Sequence, residues 1–283
     1  MIAAAVLASG LFTLPVGERQ ALVCPPQQYY QCLAEVPVAL RPQFPQSSER
    51  IQQMLGHRAA MAMPLDDPQF AGIILWAPQR LPNSISALWN DSVYQLSLAE
   101  QQQQLTLWHE LGHLEIKRLQ SAAVLPQQLT TLEHEWLADG YMIWRSARET
   151  QSLALAEQQL DRRNMAVFAD IKNFSHWTPL YLQHTLVQLK VSELQQQSFD
   201  LWIAQLFHAT PRYGDDELQE FSGLLQRLFG MGRSQSLPDY MLWRRPTLGA
   251  VVAPTLRRVM GSALAQQWMA EQNLLPKQSA ARQ

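Results

Sequence analysis

The sequence predicts an α+β chain, with a small sheet and one functional helix in the N-terminal half and a mainly helical C-terminal half. Three observations carry this. Two strand-like runs, IILWA at 73–77 and SVYQL at 92–96, precede residue 97. Two Ser/Thr-x-x-Glu patterns, at 97–100 and 130–133, have the form of capping boxes that open long helices. Beyond residue 150 the apolar spacing is helical throughout, punctuated by prolines, and no strand signal of similar quality occurs.

Residues 2–16 are apolar and uncharged. They fall short of the roughly 20 residues that span a bilayer, so no stable membrane span is expected. They suit the apolar core of a secretory leader, although no Lys or Arg precedes them. On this reading 1–23 is a leader or an apolar N-terminal segment. The protein is then periplasmic or secreted, and cytoplasmic if the segment is not a leader. Cys24 and Cys32 flank CPPQQYYQC, whose Pro-Pro pair favours a turn that brings the sulfurs together. They pair in an oxidising compartment, and otherwise serve as two small buried hydrophobes.

Residues 25–46, rich in Pro and Gln, read as an extended lead-in, and SSER at 47–50 opens a short helix to about 60. The first strand run ends at Pro78, and a turn-rich stretch separates it from the second. Ser97 then reads as the N-cap of a helix to about 120, and Thr130 as that of a helix to about 148. Further helices are expected near 151–172, 179–196, 198–209, 215–229 and 255–272, with Thr178 as N-cap before Pro179. The expected organisation is a unit at 24–150, a helical subdomain at 151–275 with a cleft between the two, and a frayed tail at 276–283.

Composition excludes some classes. The 22 Lys and Arg are scattered and are balanced by 24 Asp and Glu, so there is no phosphate-backbone footprint and no nucleic-acid partner is expected. Two cysteines exclude a four-cysteine zinc site.

His109-Glu110-Leu111-Gly112-His113 is the motif that carries chemistry. Histidines four apart on a helix project from one face and can share a tetrahedral zinc. Glu110, about 100° around the helix, can then take a proton from the water the zinc activates. Gly112 permits close packing. A third protein ligand is needed. The metzincin continuation fails, because Ile116 and Leu119 stand where it requires Gly and His. Glu135-Trp136-Leu137-Ala138-Asp139 supplies a carboxylate instead, on the next helix. Glu135 and Asp139 share a face, so Glu135 can ligate while Asp139 accepts the other ring N–H of a ligand His. Glu133 is the competing carboxylate, but it is accounted for by the capping box.

HELGH followed by E-x-x-A-D resembles the gluzincin metallopeptidases. The second motif is similar to that of HtpX-like peptidases, and the short separation is nearer to thermolysin or to ImmA-like proteases. The resemblance covers about residues 92–146. It implies a zincin-like fold and zinc-dependent hydrolysis of peptide bonds in a peptide or protein substrate. In that scheme His109, His113 and Glu135 are ligands, Glu110 is general base, and Asp139 supports a ligand from behind. The alternative is a non-catalytic zinc-binding or peptide-binding protein that retains the fold. Such peptidases add a group that polarises the scissile carbonyl. The candidates are His176 and His184 first, then Tyr141, Tyr181 and His208. The strand at 92–96 is a candidate to pair with extended substrate along the cleft.

Overall fold

Why the first sheet has its strand order follows from which strands are buried. The computed structural model describes residues 10–230 and 243–275, without the side chains of His184 and Gln188. Residues 1–9 of the apolar run and the tail at 276–283 lie outside the described residues. β4 (Phe70–Trp76) is buried at all seven positions, as a strand covered on both faces must be. β2 (Arg19–Cys24) pairs with it in parallel, and β3 (Ala60–Pro64) pairs with its other edge antiparallel. β1 (Phe12–Val16) closes the order β1-β2-β4-β3. Within the segment read as a leader, 12–16 and 19–24 are therefore strands, and Leu14 and Val16 serve the core.

Contacts divide the described chain into two units. The first comprises Met1–Pro82, Glu100–Leu153 and Lys190–His208. On one face of its sheet, Leu22, Ile73 and Leu75 pack against α1 (Tyr29–Glu35) and α2 (Ser48–Leu55). The stretch at 25–46 is not simply extended. Pro25 and Pro26 set up a 3-10 turn at Pro26–Gln28, which delivers Tyr29 into α1, and α1 buries Tyr29, Cys32 and Leu33 at helical spacing. Cys32 is disulfide-bonded to Cys24 of β2, with the Cα atoms 6.1 Å apart. Ser47 caps α2, its hydroxyl accepting the Arg50 N–H at 3.2 Å.

α3 (Gln102–Ser121) lies against β1, β3 and β4. It starts four residues later than the Ser97 pattern predicts, its N-cap being Gln101. Ser97 is instead the last residue of a strand, paired with Ser84, and the N-cap Gln101 makes no side-chain cap bond. The Thr130 box is as expected. Its hydroxyl accepts the Glu133 N–H, and the Glu133 carboxylate accepts the Thr130 N–H, opening α4 (Thr131–Thr150). α3 and α4 run antiparallel, with Gln104 bonded to Glu149 and His109 to Asp139. They meet at Gly112, where a Cβ would stand 2.7 Å from the Ala138 carbonyl oxygen and 2.8 Å from its Cα. α7 (Val191–Gln196) and α8 (Phe199–Ala209) complete this unit. Arg118 of α3 bonds Glu115 and, bidentately, Asp200 of α8. Gly17, in the left-handed β1–β2 turn, donates its N–H to Glu115 at 3.1 Å.

The second unit comprises Asn83–Ala99, Ala154–Leu189 and Ala209–Gln283. β5 (Ser84–Trp89) and β6 (Ser92–Ser97) form a hairpin. Its two-residue turn, Asn90-Asp91, has both residues at positive φ, as a primed turn requires. The helices are α5 (Ala154–Ala169), α6 (Pro179–Gln188), α9 (Asp215–Phe229), α10 (Arg245–Met260) and α11 (Ser262–Glu271). Trp89 stacks on Tyr94 at 4.1 Å and Phe168 on Phe229 at 3.7 Å. Buried Asn164 of α5 donates to Thr255 of α10 and accepts from Trp177. The helix expected over 179–196 breaks at Leu189 and Lys190, which are extended, and its halves fall in different units. Pro254 does not end a helix. It sits inside α10 on an exposed face, where water can satisfy the carbonyl it frees. Thr178 precedes Pro179 as expected but makes no side-chain cap bond. No described helix is long and apolar enough to cross a membrane.

Two stability outcomes follow. Gly112→Ala gains about 1 kcal/mol of helix propensity but forces α3 and α4 apart, for a net loss of about 1–3 kcal/mol in denaturant unfolding. Cys32→Ser opens a short loop and lowers unfolding free energy by about 2–3 kcal/mol, on the chain-entropy account of cross-links. Unchanged midpoints would refute the close crossing and the cross-link respectively.

Candidate metal centre

The site is built where α3 and α4 cross, within the first unit. His109 and His113 lie one turn apart on α3, their ring centroids 4.8 Å apart and their planes nearly perpendicular. Glu135 lies early in α4, one turn beyond the capping box that fixes where that helix begins. The ligand atoms of His109, His113 and Glu135 all fall within 4.8 Å of one another. His109 Nε2 is 3.3 Å from Glu135 Oε2, and His113 Nε2 is 3.7 Å from Glu135 Oε1. Two ligands about 2.0–2.1 Å from a tetrahedral ion stand about 3.3–3.4 Å apart, so the first distance matches such an edge.

Asp139, one turn after Glu135, is wholly buried. Its Oδ1 accepts the His109 Nδ1–H at 2.8 Å. That bond holds the proton on Nδ1 and directs the Nε2 lone pair at Glu135. A neutral ring turned this way presents its Nε2 to a carboxylate oxygen at 3.3 Å, a contact that a bound cation would make favourable. The buried His109–His113–Glu135 group could thus hold a metal ion. Glu133, by contrast, is half-buried and spends its carboxylate on the N-terminus of α4.

Glu110 is buried beside His109, and its Oε2 accepts the Ala62 N–H of β3 at 2.7 Å. β3 is an edge strand, so this amide points away from β4 and is available to the helix. Burial pushes the Glu110 carboxyl above its ordinary range, opposed by His109 and by the Ala62 hydrogen bond. The role of Ala62 was not legible as a motif, because it is carried by a backbone N–H. The signal was the short apolar run AMAM, bounded by Pro64, which reads as a strand.

The strand at 92–96 is β6 of the second unit's hairpin, and within the first unit the strands that contact α3 are β1, β3 and β4. Its partner is β5, most of which follows the turn-rich stretch and was not read as a strand. Of the carbonyl-polarising candidates, Tyr141 belongs to the first unit, where its hydroxyl accepts from Arg145. His208 is exposed near the end of α8. His176, in the 3-10 turn Ile171–His176, bonds Ser175 and belongs to the second unit with Tyr181 and His184. The His184 side chain lies outside the described residues.

Competitive chelator titration of three variants tests the donor set. Glu135→Ala should weaken metal binding most, and Asp139→Ala by about 10–100-fold. Glu133→Ala should leave affinity nearly unchanged and cost about 1 kcal/mol of stability. Loss of metal from Glu133→Ala with retention in Glu135→Ala would overturn the assignment.

Comparison of the chain with protein-family models, curated proteins and solved structures returns no match.

Proposed function

We propose that this chain is a zinc-dependent metallopeptidase of the gluzincin type, with a zincin-like arrangement of α3, α4 and the β1–β4 sheet. The observation that carries the reading is the convergence of His109, His113 and Glu135, with the Glu110 carboxylate buried alongside. Two imidazoles and one carboxylate form a donor set that suits zinc, and three protein ligands leave a position for water or substrate. Zinc held there supplies Lewis acidity to water and to the scissile carbonyl.

The chain's own residues account for the rest. Ala62 fixes one oxygen of Glu110 and so orients the other. Glu110 takes the proton of the attacking water and returns it to the leaving amine. Its raised proton affinity suits a base that must hold a proton between the two steps. Asp139 keeps His109 in the tautomer that offers Nε2. The substrate is a peptide or protein. The buried Cys24–Cys32 disulfide supports export, to the periplasm or outside the cell, because such bonds persist in oxidising compartments.

The decisive variant is Glu110→Gln. It should retain one zinc per chain and lose about 100-fold or more of the hydrolysis of a fluorogenic peptide library. Full activity in that variant would refute the base assignment. Metal retention with no hydrolysis by the wild type would favour a non-catalytic zinc-binding protein.

A further inference from the structure

About 180° around α3 from the metal donors, and on the matching face of α4, the first unit holds a cavity of about 500 Å³. None of His109, His113 and Glu135 lines it. We propose that this cavity is a second ligand site, which takes a small organic monocarboxylate with an aromatic or apolar body. The proposal does not depend on the reading of the metal centre.

The cavity's carboxylates are already engaged. Glu115 accepts from Arg118 and from the Gly17 N–H, and Asp200 accepts from Arg118 in the first turn of α8, where the helix dipole favours it. Arg145 is matched by Glu149. Arg148 meets no carboxylate among the described residues. It is solvent-exposed, with its guanidinium over Trp144 and its Nη1 against the Leu194, Gln195 and Gln197 carbonyls, and water serves its other N–H groups until a ligand replaces it. The buried Tyr141 hydroxyl accepts from Arg145 at 3.3 Å. Its own proton has no acceptor among the described residues. Burial raises the phenol's pKa, so at neutral pH it remains a donor.

A buried phenol proton without an acceptor among the described residues and an exposed cation without a carboxylate partner give an anionic ligand two donors. An aromatic wall adjoins them. Trp144 lies 5.6 Å and Tyr141 4.9 Å from Phe199 between ring centroids, and Arg148 covers Trp144 at 4.8 Å. A cation and a phenol beside apolar rings complement a carboxylate on an apolar body, and the volume is that of a small-molecule site.

The test is calorimetric titration of the full, metal-loaded protein with benzoate, with benzyl alcohol as the uncharged counterpart. One benzoate should bind per chain, with Kd on the order of 1 mM or tighter, and removing the metal with EDTA should not change this. Benzyl alcohol should bind at least about tenfold more weakly. Arg148→Gln and Tyr141→Phe should each weaken benzoate by about tenfold or more. If Arg148→Gln loosens the segment at 194–197, Tyr141→Phe decides, since it removes one oxygen and no packing. Absence of benzoate binding at about 20 mM, equal affinity for the alcohol, undiminished binding by Tyr141→Phe, or loss of binding with the metal would each overturn the proposal.

Discussion

Helix α3 can donate two imidazoles only if α4 brings its carboxylate close enough to meet them, and backbone sterics set that approach. At the crossing, Gly112 faces the backbone of Ala138 with no room for a Cβ. The small residue lies between the two histidines in sequence, on the face turned toward α4. The same economy recurs two residues after Ala138 and on another face of α4, where a Cβ at Gly140 would meet Ile203 of α8 at 2.9 Å. α4 is thus packed closely on two sides, and the residues that make this possible alternate with Glu135 and Asp139.

Close packing has an electrostatic consequence. Glu110, Glu135 and Asp139 are all buried within about one turn of a single crossing point, and burying carboxylates together is costly unless positive charge or hydrogen bonds meet them. The protein meets them unequally. Asp139 is satisfied by the His109 ring, Glu110 by the Ala62 amide, and Glu135 faces the two ring nitrogens. A metal ion held by His109, His113 and Glu135 would add positive charge here, and its binding would then be linked to folding.

Much of this centre was legible in the sequence because it is local. The i, i+4 spacing of His109 and His113, the Thr130 capping box and the pairing of Glu135 with Asp139 all arise within single helices, where period alone fixes which side chains share a face. The sheet was read less well. β1 and β2 lie in a run and its continuation that resemble a leader, and β3 and β5 are short runs without a strong β-branched pattern. Strand identity depends on which partner is available, as Ser97 illustrates: its local pattern fits a helix cap, yet it finishes a ladder with Ser84. The Gly17–Glu115–Arg118–Asp200 network had no sequence signal, since its members are drawn from β1–β2, α3 and α8.

That network also bears on the order of assembly during synthesis. Arg118 and Asp200 are 82 residues apart, and the intervening chain contributes helices to the other unit before it returns. At a translation rate of about 5–20 residues per second, α3 emerges about 4–16 s before its partner on α8. His109, His113, Glu135 and Asp139, all contained between 109 and 139, can gather in that interval. The opposite face of the same helix pair cannot, because α7 and α8, which cover it, have yet to be made. A nascent chain in this state has the His109–His113–Glu135 group within reach of closure while the other face of the same two helices still lacks its partner.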